Sequence, residues 1–164
     1  MLFRSPDKAV CVYPADHYPA WSRELGRHLL TFGSFGENLS VAGLDEQSVC
    51  IGDVWSIDDV VVEVSQPRQP CWKLARRWRI ATFTDQVVKS GRTGWYLRVR
   101  EPGLVAPGAV MSLVERPHPQ WTVAAANAVM HQRIGDTAAL AALDALAANW
   151  RATLRKRISA AASL

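Results

Sequence analysis

The stretch from Val54 to Cys71, which reads VWSIDDVVVEVSQPRQPC, determines the fold that the sequence predicts. Apolar and polar residues partly alternate at its start, Asp58-Asp59 is typical of a turn, and a nearly continuous apolar run follows. Within residues 48–65 this pattern predicts strands joined by a turn. A strand that is apolar on both faces suits the wall of a barrel, so the fold class predicted here is mainly β.

The flanking sequence adds further elements to this hairpin. Strands are predicted at residues 8–13, 95–100 and 109–114, and a helical turn at 72–78. Asp16 is the predicted N-cap of a helix from His17 to about residue 30. A loop is predicted at residues 33–36.

The composition changes at Pro117-His118-Pro119, and three helical patterns follow. They are residues 123–131, 137–147 and 150–160, with Thr122, Asp136 and Asn149 as predicted N-caps. The predicted architecture is a β-rich domain over residues 1–116 and a small three-helix domain over residues 117–164.

Composition excludes several classes of protein. Of the 164 residues, 49% are hydrophobic and 21% are charged, which is the balance of a soluble globular protein. No apolar run is long enough for a membrane span, and the first residues do not resemble a secretory signal. Three scattered cysteines do not form a disulfide framework, which indicates the cytoplasm. The net charge of +4 favours anionic partners without identifying one.

Cys71 is the candidate reactive residue. Pro67 and Pro70 stiffen the loop that presents it, and Arg68 and Lys73 favour the thiolate. A thiolate is a soft metal ligand, although a buried inert cysteine is the alternative interpretation. The sequence has neither a Cys-x-x-Cys nor a His-x-x-x-His pair, so a structural zinc site has weak support. A metal that its own organic ligand already coordinates needs only one further bond from the protein, and a single cysteine can supply that bond. Cys11 and Cys50 are interpreted as inert.

A second candidate segment is Phe35-Gly36-Glu37-Asn38-Leu39-Ser40. Glu37 offers a carboxylate and Asn38 offers donors and an acceptor, a set that could recognise a heterocycle. The alternative is a loop in which both side chains only satisfy backbone groups.

Together these segments resemble the MOSC family, named after the C-terminal domain of molybdenum cofactor sulfurase, and in particular its bacterial YiiM-like subgroup. The residues that carry the resemblance are Asp7-Lys8-Ala9-Val10, Tyr13-Pro14 with His17-Tyr18 and Trp21, Phe35 to Leu39, Gly52-Asp53, Ser65 to Leu74, and Gly94-Trp95-Tyr96. The C-terminal helices resemble the 3-alpha domain of that subgroup.

The resemblance implies a twisted β-barrel that binds a molybdopterin-type molybdenum cofactor, with Cys71 as the thiolate ligand of the metal. It also implies reduction of N-hydroxylated compounds, such as hydroxylamino base analogues, with electrons from a separate flavoprotein. Pyridoxal phosphate binding is a further family-level association.

The same resemblance suggests roles for the other candidates. Arg68 and Lys73 would hold the cofactor phosphate, Glu37 and Asn38 would bind the pterin, and Ser65 would join the cofactor site. His17 and Tyr18 would be substrate-side or proton-donating groups. For His17, a helix-start histidine satisfied by the backbone is the alternative.

One departure concerns the N-terminus. Relatives carry several strands that end in His-Gly-Gly, whereas Phe3 and Arg4-Ser5 stand at those positions here. The expectation is a shortened form, a different start, or a barrel completed by a partner, including a homodimer, because a free sheet edge must be covered.

Two other functions compete with the reductase. A sulfur or cofactor carrier would use a Cys71 persulfide and need no reductase activity. A nucleic-acid-binding module would use the basic helix at 150–160, but a basic face on a terminal helix is usually just solvated, so nucleic acid is not the expected partner.

Overall fold

The computed structural model describes residues 5–26 and 31–163, and its centre is a curled six-stranded sheet that forms a half-barrel. The strands are β1 (Val10–Pro14), β2 (Leu39–Val41), β3 (Val54–Ile57), β4 (Val60–Pro67), β5 (Trp95–Glu101) and β6 (Met111–Glu115). Their order is β2-β1-β5-β4-β3-β6, with β1 and β2 parallel and the other neighbours antiparallel. The β-rich fold class is confirmed.

Within residues 5–26 and 31–163, six helices pack around the sheet. They are α1 (Tyr18–Glu24), α2 (Trp72–Trp78), α3 (Phe83–Ser90), α4 (Val123–Asn127), α5 (Thr137–Ala141) and α6 (Ala148–Ala161). Short 3₁₀ turns span Pro6–Lys8 and Ala15–His17, and a turn of π-helix, Ala128–Gln132, continues α4. Within the described ranges, no helix is both long and apolar enough to cross a membrane.

The hairpin of β3 and β4 forms as predicted. Val54 pairs with Glu63 and Ile57 with Val60 across the turn at Asp58-Asp59. Seven of the eight residues of β4 are buried, because the strand is covered on both faces. The register between β4 and β5 shifts twice, and such bulges bend and twist a sheet.

The sheet and the C-terminal helices share one hydrophobic core. Val62, Val64 and Leu97 from the strands pack in the same cluster as Leu140 and Leu154 from the helices. A second, aromatic cluster lies under α1, α2 and α3, and its buried members are Tyr13, Tyr18, Trp21, Phe35, Leu74, Phe83 and Val87.

Two predicted helix caps are wrong. The Asp16 carboxylate accepts a hydrogen bond from the Gly43 N–H at 2.8 Å instead of capping α1, which begins after a 3₁₀ turn with Pro19 in its first turn. The predicted end of that helix near residue 30 lies outside the described residues. Asn149 lies inside α6, and the free N–H of Ala148 is bound by the Asp7 carboxylate at 3.1 Å. A side chain from the other end of the chain therefore replaces a local cap.

The other two predicted caps are confirmed. Thr122 Oγ1 accepts from the Ala125 N–H at 3.0 Å, and Asp136 Oδ1 accepts from the Ala139 N–H at 2.9 Å. Helix α5 has only five residues, so it is shorter than predicted. Strand β2 and helix α3 were not predicted from the sequence pattern.

Candidate functional site

Cys71 stands at the start of α2, on a loop held to the sheet. After β4 ends at Pro67, the Arg68 N–H donates to the Gly94 carbonyl at 3.0 Å. The Cys71 carbonyl then accepts from the Leu74 N–H at 2.9 Å and from the Thr84 hydroxyl at 3.3 Å. These backbone contacts fix the residue while its side chain remains exposed to solvent. The thiol is thus presented to solvent by a loop that hydrogen bonds connect to the sheet and to α3.

The thiol opens into a pair of adjoining cavities that we call the Cys71 cavity. The smaller part, about 210 Å³, contains Cys71, and the larger part, about 520 Å³, contains Lys8, Cys11 and Tyr96. Both parts are lined by Gly36, Arg68 and Lys73, so the two adjoin. The cationic side chains around the space are Lys8, Arg68, Lys73 and Arg77. This charge suits a ligand that carries phosphate.

Arg68 is the best-placed of these cations. Its Nη2 donates to the Phe35 carbonyl, whereas Nη1 is buried and has no hydrogen-bond partner among the described residues. A buried guanidinium N–H without a partner is costly, and an oxyanion in the cavity would satisfy it.

Two further groups in the cavity keep their protons. Burial raises the pKa of the Cys11 thiol, although the nearby Arg68 charge opposes the shift. Burial also raises the pKa of Tyr96, whose ring lies 5.9 Å from the Lys8 ammonium. Cys11 is therefore a neutral thiol near pH 7, and Cys71 is the accessible one.

Glu37 organises the loop that carries Gly36. It accepts hydrogen bonds from the Gly33 and Phe35 N–H groups at 2.6 and 3.0 Å, from the Ser40 hydroxyl at 2.9 Å and from the Tyr18 hydroxyl. Burial alone would raise the pKa of this carboxyl, but these donors hold it below its usual value. Glu37 lines a separate cavity beside β2 and residues 105–111.

Asn38 ties the same loop to β1. Its N–H donates to the Cys11 carbonyl, and its Oδ1 accepts from the Cys11 N–H, both at 2.8 Å. Asn38 also lines the Cys71 cavity. The two side chains therefore hold the backbone in place, and of the two only Asn38 reaches the cavity wall.

The structure brings together Cys71, Arg68, Lys73 and Asn38 but not the other predicted site residues. His17 lies in a different cavity, with Nε2 2.7 Å from the Glu46 carboxylate. Tyr18 donates to Glu37. Ser65 is fully buried, and its hydroxyl contacts the carbonyls of Asp7 and Tyr96. None of these three is among the residues that line the Cys71 cavity.

Sequence reasoning missed Lys8, Cys11 and Tyr96 as site residues. Cys11 and Tyr96 are register partners across β1 and β5, so their contact depends on strand pairing. Cys11 was interpreted as inert from its place in a buried strand, and that placement is correct. The signal that could have found Lys8 is a cationic side chain two residues before the start of β1.

A family model described as the MOSC domain matches residues 2–112. The chain belongs to the MOSC domain family. A second model, the YiiM-like 3-alpha helix domain, matches residues 121–161. These matches confirm the resemblance that the Cys71 and Glu37 segments indicated.

Relatives of this MOSC protein include YflK of Bacillus subtilis, which is 46% identical over 155 residues, or 93% of this chain and 70% of YflK. YiiM of Escherichia coli is 36% identical over 156 residues, with 93% and 70% covered. A protein of Gibberella moniliformis named "Reductase" is 39% identical over 130 residues, which are 77% of this chain and 23% of that protein.

Solved structures agree with the fold. The crystal structure of YiiM from Geobacillus stearothermophilus has a TM-score of 0.88 and 40% identity, and the match covers 93% of this chain and 80% of that one. For YiiM from Escherichia coli the TM-score is 0.87 at 35% identity, with 93% and 78% covered.

The MOSC domain is related to molybdenum cofactor sulfurase, and the residues present fit a molybdopterin-type group. Arg68 Nη1 is a buried donor without a partner among the described residues, and Lys8 and Lys73 add positive charge near it. Cys71 offers one accessible sulfur in the smaller part, which Arg68 and Lys73 also line. A ligand that carries both a phosphate and a soft metal matches this donor set.

Proposed function

We propose that this protein is a molybdenum-cofactor-dependent oxidoreductase that reduces N-hydroxylated compounds, including hydroxylamino base analogues. The observation that carries the proposal is Arg68 Nη1, a buried donor that has no partner among the described residues, beside a cationic cavity that the exposed Cys71 also lines. The MOSC family and the relative named "Reductase" support an oxidoreductase activity.

The chain's residues have distinct tasks in this proposal. Arg68, Lys73 and Lys8 bind the cofactor phosphate, Arg68 with its planar fork and the lysines as point charges. Asn38 keeps the loop closed over the cavity by its two hydrogen bonds to Cys11. Cys71 supplies the protein's thiolate. When bound, the cofactor supplies the two-electron chemistry, and the protein positions it.

The overall reaction consumes two electrons and two protons. The N–O bond of an N-hydroxylated substrate breaks, the nitrogen leaves as an amine, and the oxygen leaves as water. We propose that the electrons come from a separate reduced flavoprotein in the cytoplasm. The exposure of Cys71 at the cavity mouth gives both substrate and donor a route to the site.

The test compares Cys71→Ser with Cys50→Ser, each produced in cells with an active cofactor pathway. Cys50 is a matched control because it is buried away from the cavity, with its thiol against the Pro119 carbonyl at 3.6 Å. We expect the wild-type protein and Cys50→Ser to retain molybdenum and a fluorescent pterin, and Cys71→Ser to lose the metal. Arg68→Gln should lose the pterin as well as the metal.

Activity is measured with an N-hydroxylated base analogue and a chemically reduced viologen dye, so the natural donor is not needed. Full molybdenum content and full activity in Cys71→Ser would refute the role of the thiolate. Molybdenum binding without reduction of any N-hydroxylated compound would refute the reaction and leave a cofactor-binding protein.

A sulfur carrier is the second candidate, and the exposed Cys71 between Arg68 and Lys73 favours it. In that case mass spectrometry would find an extra sulfur atom on Cys71 that a thiol reductant removes. No reductase activity would accompany it with any donor.

A further inference from the structure

Helix α2 forms the outer surface beside Cys71, and we call its solvent-facing side the α2 surface. This side consists of the exposed residues Trp72, Lys73, Arg76, Arg77 and Arg79. Residues four apart lie above one another on a helix, so 72 with 76 and 73 with 77 make two adjacent rows. Leu74 lies on the opposite side and is buried in the aromatic cluster. Lys73 and Arg77 also line the Cys71 cavity, so the α2 surface is continuous with that site.

Positive charge is concentrated on this part of the chain. Between Glu63 and Asp85 the sequence has five cationic residues and no carboxylate. They are Arg68, Lys73, Arg76, Arg77 and Arg79. The net charge of the whole chain is +4, so this stretch carries all of the excess and the remainder is close to neutral. Within residues 5–26 and 31–163, none of the five forms an ion pair with a carboxylate.

An exposed tryptophan lies among these cations. Trp72 is 60% exposed, although five of the other six tryptophans of the chain are buried. Its ring contacts the Arg76 guanidinium, whose carbon is 5.8 Å from the ring centre. Packing of the core therefore does not account for this side chain. Tryptophan and arginine are the residue types that contribute most to binding energy in protein interfaces.

The position of the α2 surface indicates which kind of partner it binds. The proposed reductase needs two electrons from a separate protein, and electron transfer weakens steeply with distance. The donor must therefore dock against the surface nearest to Cys71, which is the residue before Trp72. Electron-transfer complexes bury little area, and complementary charges bring the two proteins together quickly. One side of a short helix with unpaired cations and one aromatic ring suits such a small interface.

We infer that the α2 surface is the docking site of the electron donor, and that this donor is a flavoprotein with an acidic surface around its flavin. Carboxylates of the donor pair with Arg76 and Arg79, and an apolar group near the flavin packs on Trp72. The reduced flavin is oxidised by the two electrons that N–O cleavage consumes, and the two protons come from water. This inference rests on the proposed reductase function, because a sulfur carrier needs no electron donor.

The binding experiment uses oxidised flavodoxin, a small FMN protein with an acidic surface, as the probe. The full chain is titrated into fluorescently labelled flavodoxin, and binding is followed by fluorescence anisotropy. We expect saturable binding at low salt that weakens roughly tenfold or more between about 0.05 and about 0.5 M salt, because salt screens exposed charges. No saturable binding at low salt, or binding that salt leaves unchanged, would overturn the inference.

Two variants locate the interface. Arg76→Glu reverses a charge and Trp72→Ala removes the ring, and each should weaken flavodoxin binding by roughly tenfold or more. Arg155→Glu is the matched control, because it makes the same change of charge at an exposed arginine of α6. An equal loss in Arg155→Glu would show attraction between net charges alone and would overturn the docking site.

A nucleic acid is the other partner that cations and an aromatic ring could bind. A single-stranded DNA oligonucleotide is therefore titrated under the same conditions. We expect it to bind more weakly than flavodoxin. Tighter binding of the oligonucleotide that Arg76→Glu abolishes would assign the α2 surface to nucleic acid and overturn the inference.

Activity measurements separate this inference from the proposed function. With a reduced viologen dye, Arg76→Glu and Trp72→Ala should match the wild type, because the dye needs no docking site. With photoreduced flavodoxin as the electron source, kcat/KM for flavodoxin should fall by roughly tenfold or more in both variants. A wild type that is inactive with the dye would refute the reductase and the role of the donor with it. Activity with the dye, but unchanged flavodoxin kinetics in both variants, would overturn the docking site alone.

Discussion

Replacement of Gly94 with alanine tests the geometry that joins β1 to β5, at a residue that hydrogen-bonds both Arg68 and Glu46. Gly94 has a φ of +70°, and a Cβ placed on it would lie 2.3 Å from the Val12 carbonyl oxygen and 3.1 Å from the Tyr13 ring. The Val12 oxygen belongs to backbone and cannot rotate away. Alanine at this position must therefore push β1 from its place beside β5, where Val12 pairs with Trp95.

The expected cost has two parts. The left-handed conformation of a residue with a Cβ costs about 1–2 kcal/mol, and overpacking costs about 1–3 kcal/mol more. Gly94→Ala should therefore lower the free energy of unfolding by about 2–5 kcal/mol. Gly91 is the matched control, because its φ is +71° and a Cβ there would meet nothing within 4 Å. Gly91→Ala should cost only about 1–2 kcal/mol.

Urea unfolding followed by tryptophan fluorescence and far-ultraviolet circular dichroism measures both variants. The difference between them isolates the steric contact with Val12, since the backbone conformation is shared. Equal losses of stability in the two variants would refute this reasoning, because they would mean that β1 moves away from the new Cβ without a measurable cost in free energy.

Three other predictions concern stability and its dependence on pH. Asp53→Ala should cost about 2–4 kcal/mol in urea unfolding, because it removes a fully buried carboxylate that Arg116 binds at 2.6 and 2.9 Å. Asp144→Ala should have no measurable effect, because the Asp144 carboxylate that pairs with Arg151 is fully exposed. Equal losses of stability in the two variants would contradict this prediction. Glu37→Gln should be less stable than the wild type at pH 7, and the difference in unfolding free energy should shrink as the pH falls below about 4.5. The pKa of Glu37 is lower in the folded than in the unfolded protein, so the stability that its charge contributes is lost as the pH falls through the folded pKa. A stability difference that does not change with pH would rule this out. Leu146→Ala should lower the free energy of unfolding by about 2–5 kcal/mol, because Leu146 is fully buried in the core that the sheet and the C-terminal helices share. The variant should still unfold in a single thermal transition. Two separate transitions would show that the sheet and the helices unfold independently.

The sequence predicts the hairpin well because its signals are local. The alternation over β3, the Asp58-Asp59 turn and the apolar run of β4 each depend only on neighbouring residues. The loop before Cys71 is predictable in part for the same reason, since Pro67 and Pro70 act within a few residues. Its contacts with Gly94 and Thr84 are distant in sequence and could not be predicted. Thr122 and Asp136 cap helices through donors only three residues away.

The wrong predictions involve partners that are distant in sequence. The cap of α6 comes from Asp7, which is 141 residues from Ala148. The resemblance implies a substrate-side or proton-donating role for His17, yet its partner Glu46, 29 residues away, holds it in a different cavity from Cys71. Cys11 and Tyr96 meet only because β1 pairs with β5. A sequence pattern carries no signal for such contacts.

The core shared by the strands and the C-terminal helices limits how this protein can be recombined. The MOSC match ends at residue 112 and the 3-alpha match begins at residue 121, a division typical of two exchangeable domains. Yet Trp121 and Trp150 are buried in the same cluster as Val62 and Leu97. A chimera that joins this sheet to the 3-alpha domain of a relative would bring together two surfaces that did not evolve against each other. It would need compensating changes on the sheet face before it packed as densely as either parent.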